Sequence, residues 1–196
     1  MPPVPEAPPA APAPARSPGP LVYVMGPSGA GKDTLMAGAG KRLPGRLAVA
    51  ERLVTRPCPN AAGDRFVTRE VMGRLLREGR LALQWSCHGF DYGIEKSIES
   101  FLLEGTAVLV NGSRGYFTEA LALYPALKPV LVTAEPGILR ARLLERAREG
   151  GDSIRERLLR TDDSFALDLG GIPVVDNSRD LEGALESFLG HISSWL

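Results

Sequence analysis

Short apolar runs alternate with helical patterns along most of this chain. Six runs predict strands, at 21–25, 47–55, 81–89, 107–112, 129–134 and 172–177. Those at 21–25, 107–112 and 129–134 are almost wholly apolar, as expected of strands buried on both faces of a parallel sheet. Helical periodicity predicts six helices, at 33–43, 68–79, 95–105, 135–150, 153–167 and 180–195. This order predicts an α/β fold with a central, mostly parallel sheet covered on both faces.

The first 20 residues differ from this pattern. They contain nine of the 17 prolines and are otherwise rich in alanine. Such a composition cannot bury enough apolar surface to offset its ordering entropy, so we expect a disordered tail with polyproline character. The tail is interpreted as dispensable, with a partner-binding arm as the alternative. Residues 21–196 then form a single domain.

Composition narrows the classes of function. No apolar run reaches the ~18–20 residues of a membrane span, and zero net charge gives no general attraction to nucleic acid or membrane. Two cysteines, Cys58 and Cys87, are too few for a disulfide framework, so we expect a cytoplasmic protein. Nineteen arginines against four lysines favour phosphate binding, although the alanine, glycine and proline content indicates genome composition as a second cause.

The segment LVYVMGPSGAGKDTLM, residues 21–36, combines a buried strand, a glycine-rich turn, a lysine and a helix. This context is typical of a phosphate-binding loop, in which backbone N–H groups and the helix N-terminus face the phosphates and the lysine reaches the β and γ phosphates. The candidate ATP-binding residues are Gly26, Pro27, Ser28, Gly29, Ala30, Gly31 and Lys32. The alternative is a glycine turn that only joins strand to helix.

Asp33 occupies the position where such loops usually carry a hydroxyl, and Thr34 follows one place later. A carboxylate beside a triphosphate is tolerable if Mg²⁺ lies between them, because this cation prefers oxygen ligands. Asn111 ends a buried strand where many P-loop enzymes carry a metal-holding aspartate. One hypothesis is that Asp33 faces the metal, directly or through water, with Thr34 as a further ligand. The alternative is that Asp33 caps the helix and interacts with its dipole.

Four further segments carry a resemblance to guanylate kinases over nearly all of 21–190. They are LVTRP (53–57), FVTREVM (66–72), EGRLALQWSCHGFDYGI (78–94) and EGTAVLVNGSRG (104–115). The chain differs from that family at the positions that recognise the guanine base and its phosphate. Gln84 replaces the family's base-contacting glutamate, and Pro59 its second arginine. Asp64 falls near the position of a family tyrosine, and Asn111 and Ser113 replace two aspartates.

Within that superfamily, the chain most resembles the ribose 1,5-bisphosphate phosphokinases, through GPSGAGKD, TRP without the second arginine, tryptophan followed by YG, and VLVNGSR. The resemblance implies a three-layer P-loop NTPase-type fold, with an acceptor-binding insert at about 53–94 and a helical lid at about 139–160. It also implies ATP and Mg²⁺ as cofactors. The implied reaction is the phosphorylation of ribose 1,5-bisphosphate to 5-phosphoribosyl 1-diphosphate in phosphonate breakdown.

A bisphosphate acceptor without a base needs cations and hydroxyls in its site. Arg56 follows a strand end and is the best candidate phosphate clamp, and Tyr92 could donate its hydroxyl to a phosphate or sugar. Asn111 and Arg114 end a buried strand, where ligands usually meet a parallel sheet. The alternatives are a surface arginine for Arg56 and core packing for Tyr92. We expect Trp85 in the core.

Seven arginines lie within the lid segment, 139–160. By resemblance, Arg142, Arg146 and Arg157 fall on lid arginines that close over the phosphates and exclude water. The alternative is a pair of helices with ordinary solvated faces. By the same resemblance, Asn177 falls where these kinases contact adenine.

Two other functions stay open at this point. One is a nucleoside monophosphate kinase with altered base choice. The other is a non-catalytic guanylate-kinase-like interaction module, although such modules generally lose the loop lysine and lid arginines that this chain retains. The expected partner is a small phosphorylated sugar rather than nucleic acid or membrane, and a homodimer is left open as the assembly state.

Overall fold

A parallel sheet lies at the centre of the protein. The computed structural model describes residues 17–57, 63–87, 89–150 and 170–196, and within 146–150 it describes the backbone alone. The described strands are β1 (Leu21–Met25), β2 (Leu47–Val49), β3 (Arg52–Val54), β4 (Asp64–Phe66), β5 (Leu81–Cys87), β6 (Phe90–Glu95), β7 (Ala107–Asn111), β8 (Lys128–Thr133) and β9 (Val174–Asp176). The described helices are α1 (Lys32–Arg42), α2 (Arg69–Arg77), α3 (Ile98–Leu103), α4 (Phe117–Leu123), α5 (Pro136–Gly150) and α6 (Leu181–Ser193).

Five strands pair in the order β2-β7-β1-β8-β9, and every pair is parallel. The sequence-based expectation of a mostly parallel α/β sheet is therefore confirmed. Val24, near the end of β1, lies beside Asn111 at the end of β7. Because parallel strands end at the same edge of the sheet, the glycine loop after β1 and the turn after β7 meet there.

The central sheet separates two apolar clusters. Val22 and Val24 of β1 point towards the cluster that α1 and α6 cover, which includes Leu35 and Phe188. Tyr23, between them in sequence, points to the opposite face, as strand alternation requires. Both faces of β1 are thus buried, which explains its uninterrupted apolar sequence.

A second sheet packs against the opposite cluster. Its strands follow the order β4-β3-β6-β5 and are of mixed direction. Leu83, Trp85 and Ile94 anchor it to the central sheet, so the expectation that Trp85 is a core residue is confirmed. This sheet spans most of the region assigned to acceptor binding.

The single strand predicted at 47–55 is wrong. Its residues form β2 in the central sheet and β3 in the second sheet. The Ala50 N–H still bonds to the carbonyl of Leu109 in β7, whereas the Arg52 N–H bonds to the carbonyl of Gly63, just before β4 of the other sheet. The polar pair Glu51-Arg52 marks the point where the chain changes sheets.

The sequence analysis missed β4, β6 and α4. β4 has only three residues, two of them charged, so it carries no strand pattern. In β6 the glycine at position 93 weakens the pattern, yet a Cβ there would lie 3.2 Å from both Leu81 and Met72. Close packing between α2 and this sheet is the reason for that glycine.

The remaining predicted elements occur with shifts of a few residues at their ends. Thr68 caps α2 as expected, because its hydroxyl accepts the N–H of Val71. Gly19 and Pro20, which the sequence analysis placed in the tail, hydrogen-bond to Leu102 and Val108. The rest of the tail, 1–16, and the helix predicted at 153–167 lie outside the described residues. Within the described part, no helix combines the length and the apolar character needed to cross a membrane.

We predict that Gly112→Ala lowers stability. A Cβ at this position would lie 2.0 Å from the ring of Tyr23, which is fully buried, so the ring would have to shift. Overpacking of this kind costs about 1–3 kcal/mol. Chemical denaturation measures the loss. Gly115→Ala in the same turn is the control, since its Cβ would meet only Ser113 at 3.8 Å. Equal stability of the two variants would contradict the prediction.

Candidate active site

The loop between β1 and α1 encloses the ammonium group of Lys32. Its Nζ donates to the carbonyl of Gly26 at 2.8 Å and to that of Pro27 at 3.0 Å. These two bonds hold the ammonium group against the backbone of its own loop. The lysine and the loop backbone thus form one compact hydrogen-bonded turn.

Two glycines of this loop cannot be replaced by larger residues. Gly26 has φ 147°, and a Cβ there would lie 1.9 Å from the carbonyl oxygen of Val132. Gly31 has φ 87°, and its Cβ would lie 2.2 Å from the side-chain nitrogen of Asn177. Both positions need left-handed backbone and close backbone approach, which glycine alone supplies without strain.

Helix α1 begins without a side-chain cap. Gly31 is its N-cap residue, and no side chain accepts a hydrogen bond there. Asp33 lies inside the first turn rather than at the cap, so the capping alternative for Asp33 is not what the structure shows. Its carboxylate remains near the positive end of the helix dipole. No side chain among the described residues caps the helix N-terminus, so no capping group occupies the position where a phosphate would bind.

Asp33 and Asn111 are direct partners across the edge of the sheet. The Asn111 amide nitrogen donates to Asp33 Oδ1 at 2.5 Å. Since an ionised carboxylate only accepts, this bond fixes which end of the amide faces Asp33. The other end, Asn111 Oδ1, is buried and has no hydrogen-bond partner in the described residues. The two residues that the sequence analysis connected are therefore adjacent, with one amide oxygen unused.

Arg52 is the main residue of this site that the sequence analysis missed. It begins β3, its side chain is only 14% exposed, and it makes a two-bond ion pair with Asp64. Nε lies 2.8 Å from Asp64 Oδ1 and Nη2 lies 2.9 Å from Oδ2. The signal in the sequence was a charged residue inside a strand-like run, but its partner follows only through the pairing of β3 with β4.

The guanidinium of Arg52 also contacts both sheets. Its Nη1 donates to the Asn111 carbonyl at 3.4 Å, and its carbon lies 5.5 Å from the centre of the Tyr92 ring. Burial by itself would lower the pKa of Arg52, but the bond to Asp64 and the charges of Asp64 and Asp33 outweigh it and raise the pKa above its usual value. Arg52 is therefore a permanent cation between the two sheets.

Tyr92 is part of a stack of aromatic rings. Its ring is nearly parallel to that of Trp85, with centroids 5.5 Å apart, and Trp85 in turn stacks on Tyr116 at 5.6 Å. This packing fixes the ring of Tyr92 beside Arg52. The core-packing alternative for Tyr92 is thus partly realised, although Tyr92 remains only half-buried.

A cleft of about 260 Å³ opens beside these groups. Four polar residues discussed above, Asp33, Arg52, Asp64 and Asn111, line it together with Glu51. Its apolar lining comes from α1, from the end of β2 and from the residue after β2, namely Met36, Ala37, Val49 and Ala50. Three carboxylates against one guanidinium make the cleft acidic, so a phosphorylated ligand needs additional cations there.

Arg56 lies in the turn that follows β3. Its Nε is buried and has no hydrogen-bond partner among the described residues. The preceding Thr55 holds the turn to β6, because its hydroxyl accepts the Asp91 N–H at 2.8 Å. An unpaired, buried guanidinium donor is costly unless an acceptor arrives. Arg114 begins the short 3₁₀ turn after β7, and neither Arg56 nor Arg114 is among the residues lining the cleft.

On the other side of the loop, Arg142 and Asn177 meet. Arg142 of α5 donates to the carbonyls of Gly29 at 3.3 Å and Asn177 at 3.0 Å. The Asn177 side chain donates to the carbonyl of Ala30 at 2.8 Å. The Arg146 side chain and Arg157 lie outside the described residues, as does most of the lid segment.

Comparison with known proteins gives close relatives of one activity. A ribose 1,5-bisphosphate phosphokinase PhnN of Chromobacterium violaceum is 42% identical over 180 residues, covering 91% of this chain and 94% of the relative. The PhnN protein of Burkholderia pseudomallei is 41% identical over 165 residues, covering 84% and 90%. That of Desulfomicrobium baculatum is 46% identical over 144 residues, covering 71% and 76%. No protein-family model matches the chain.

Among solved structures, a guanylate kinase of Anaplasma phagocytophilum matches with a TM-score of 0.64. The alignment covers 92% of this chain and 87% of that one, at 17% sequence identity. At this identity the likeness supports the fold alone. The guanylate-kinase-like P-loop fold expected from the sequence is therefore confirmed.

We predict that Arg52→Met destabilises the protein by about 3–5 kcal/mol, because it leaves the buried Asp64 charge without a partner. The double variant Arg52→Met/Asp64→Leu should recover most of this loss, since an apolar pair of similar volume replaces the ion pair. Urea denaturation measures both.

The matched control is Arg65→Met on the neighbouring strand. Arg65 is 45% exposed and pairs with Glu51 and Glu95 at the surface, so its loss should cost at most about 1 kcal/mol. If Arg52→Met costs no more than Arg65→Met, then the Arg52–Asp64 pair is energetically a surface pair and our interpretation is wrong.

Proposed function

Because the chain belongs to the ribose 1,5-bisphosphate phosphokinase family, we propose that it phosphorylates ribose 1,5-bisphosphate in phosphonate catabolism. The terminal P–O bond of ATP breaks, a new P–O bond forms to an oxygen of the 1-phosphate, and ADP leaves. The product is 5-phosphoribosyl 1-diphosphate. The observation that carries this proposal is the 41–46% identity to relatives named for that activity.

The nucleotide phosphates are assigned to the loop before α1. The ammonium of Lys32, the uncapped helix N-terminus and the glycine backbone suit a polyphosphate chain. We assign this contact to residues 26–34. Phosphoryl transfer needs positioning and charge stabilisation more than covalent chemistry, so a rigid loop with a fixed lysine fits the task.

The donor set at the edge of the sheet suits Mg²⁺. Asp33 supplies a carboxylate, and the buried Asn111 Oδ1 has no other partner in the described residues. Those residues contain no cluster of three or more histidine, cysteine or acidic side chains that could hold a metal on its own. Mg²⁺ is commonly bound by one or two protein oxygens together with substrate phosphates, which fits this set. We assign the metal to Asp33, with Thr34 and Asn111 as further candidates.

The acceptor is assigned to the second sheet and the cleft beside it. Arg56 is the proposed clamp for an acceptor phosphate, because its buried Nε needs an acceptor. The Tyr92 hydroxyl and Asn111 are proposed contacts for a phosphate or sugar hydroxyl. Arg114 is proposed as a further phosphate contact from the turn after β7.

The lid arginines remain part of the proposal. Arg142 already touches the phosphate loop through Gly29. Arg146 and Arg157 are assigned by resemblance alone. Arginines that meet the transferring phosphoryl group can be worth ~10³-fold or more in rate.

A nucleoside monophosphate kinase is the second candidate, because the sequence resembles guanylate kinases over nearly all of 21–190. Gln84, in place of a base-contacting glutamate, argues against guanine as the acceptor. A non-catalytic module is disfavoured by the intact loop and its enclosed lysine.

We predict ADP release with ribose 1,5-bisphosphate as acceptor and at least ~10²-fold lower kcat/KM with GMP, AMP or UMP. A site that provides donors for two phosphates leaves them unpaired with an acceptor that carries one. A coupled ADP assay measures each acceptor, and Lys32→Ala is the inactive control. Preference for a nucleotide acceptor would refute the proposed substrate, and no turnover with any acceptor would favour the module.

We predict that Asp33→Asn raises the Mg²⁺ concentration for half-maximal turnover by about 10–100-fold, because it removes the carboxylate from the metal-facing pair. The swap variant Asp33→Asn/Asn111→Asp keeps the hydrogen bond and returns one carboxylate to the edge of the sheet. It should recover part of the Mg²⁺ affinity. Unchanged Mg²⁺ dependence and turnover in Asp33→Asn would exclude the metal role.

A further inference from the structure

Asn177 lies directly beneath the phosphate loop. It follows β9, and its backbone N–H continues the sheet ladder by bonding to the Thr133 carbonyl at 2.8 Å. The residue is only 3% exposed. Its position is therefore fixed by the central sheet, and its side chain is directed into the protein.

The side-chain amide of Asn177 holds one peptide group of the loop. Its Nδ2 donates to the Ala30 carbonyl at 2.8 Å. At Gly31, the next residue, even a Cβ atom would lie 2.2 Å from the same nitrogen. The loop backbone thus rests on this amide with no space between them.

Because the peptide bond is planar, the hydrogen bond to the Ala30 carbonyl also determines the direction of the Gly31 N–H. The carbonyl of Ala30 and the N–H of Gly31 belong to one planar trans peptide unit and point in opposite directions. Because the Ala30 carbonyl points towards Asn177, the Gly31 N–H must point away from Asn177, to the other face of the loop. That face is the one on which a phosphate-binding loop presents its N–H groups.

Arg142 supports Asn177 from the side. It donates to the Asn177 carbonyl at 3.0 Å and to the Gly29 carbonyl at 3.3 Å. Asn177 therefore joins three parts of the protein: the end of β9, the loop and helix α5. These contacts hold the loop in one conformation in the absence of a ligand.

The same geometry argues against a direct contact between the Asn177 side chain and adenine. Its remaining polar atom, Oδ1, is buried and unpaired in the described part of the chain. Its Nδ2 is bonded to the Ala30 carbonyl, so a base could bond to that nitrogen only by displacing the loop.

We propose that Asn177 is a positioning residue for the triphosphate, which acts by orienting the Gly31 N–H and makes no contact with the base. This inference rests on the proposed use of ATP. The inference changes the expected ligand selectivity. Loss of Asn177 should lower the affinity for all polyphosphates equally, whatever base they carry.

The test compares Asn177→Ala and Asn177→Asp with the parent protein. Both variants remove the Nδ2 donor, and the second keeps the shape of the side chain. Dissociation constants are measured for ATP, GTP and tripolyphosphate, which has no base, alongside thermal unfolding. We expect a rise of about tenfold for all three ligands, as for the loss of one ordered N–H contact to a charged group.

Ser178→Ala is the matched control. Ser178 is the next residue, and its hydroxyl contacts Glu135 and Asp176 rather than the loop. Its three dissociation constants should equal those of the parent. None of these measurements involves the acceptor, so an error in the proposed sugar substrate would not change them.

Two results would overturn the inference. One is a loss of ATP affinity with GTP and tripolyphosphate unaffected, which would assign Asn177 to the base. The other is unchanged affinity for all three ligands. If both variants fail to fold, NMR of the parent protein tests one necessary step of the inference, because the Gly31 amide resonance must shift when tripolyphosphate is added. An unshifted Gly31 resonance at saturation would refute the role.

Discussion

Parallel pairing of β1 with β7 determines where the rest of the site lies. The register places Val24 beside Asn111, so the glycine loop and the turn after β7 leave the sheet at the same edge. This juxtaposition brings Asp33, two residues into α1 from the loop, onto the Asn111 amide. The second sheet then adds Arg52, whose guanidinium reaches the Asn111 carbonyl. A shift of one residue in this register would exchange the faces of β7 and separate these groups.

The sequence predicted those elements whose residue pattern can be recognised within a single short segment. Strands such as β1 and β7 are recognisable because burial on both faces makes every residue apolar. The glycine loop is recognisable because its backbone conformations need glycine at fixed spacing. The sequence also indicated that Asp33 and Asn111 are related. Asp33 places a carboxylate where a hydroxyl is usual, and Asn111 places an amide where a carboxylate is usual.

The features that sequence analysis missed depend on pairing between distant segments. Arg52 looks like an ordinary strand residue until β3 is seen to pair with β4, which supplies Asp64. Asn177 was found as a position, but its orientation follows from the end of β9 and from the loop that covers it. Short strands such as β4 have too few residues to show a period, and they exist only because a partner strand is present.

The helix that begins at the phosphate loop is covered by the far end of the chain. Phe188 and Ile192 of α6 share a buried cluster with Leu35 and Met36 of α1, and Arg42 pairs with Glu182 and Glu186. Arg42 and Glu186 are 144 positions apart. During synthesis α1 is therefore made early but lacks its covering helix until α6 has followed. Under the proposed use of ATP, binding at the loop stabilises α1 together with the α6 helix that covers it, so the nucleotide should act as a folding ligand for the whole domain rather than for its own loop alone.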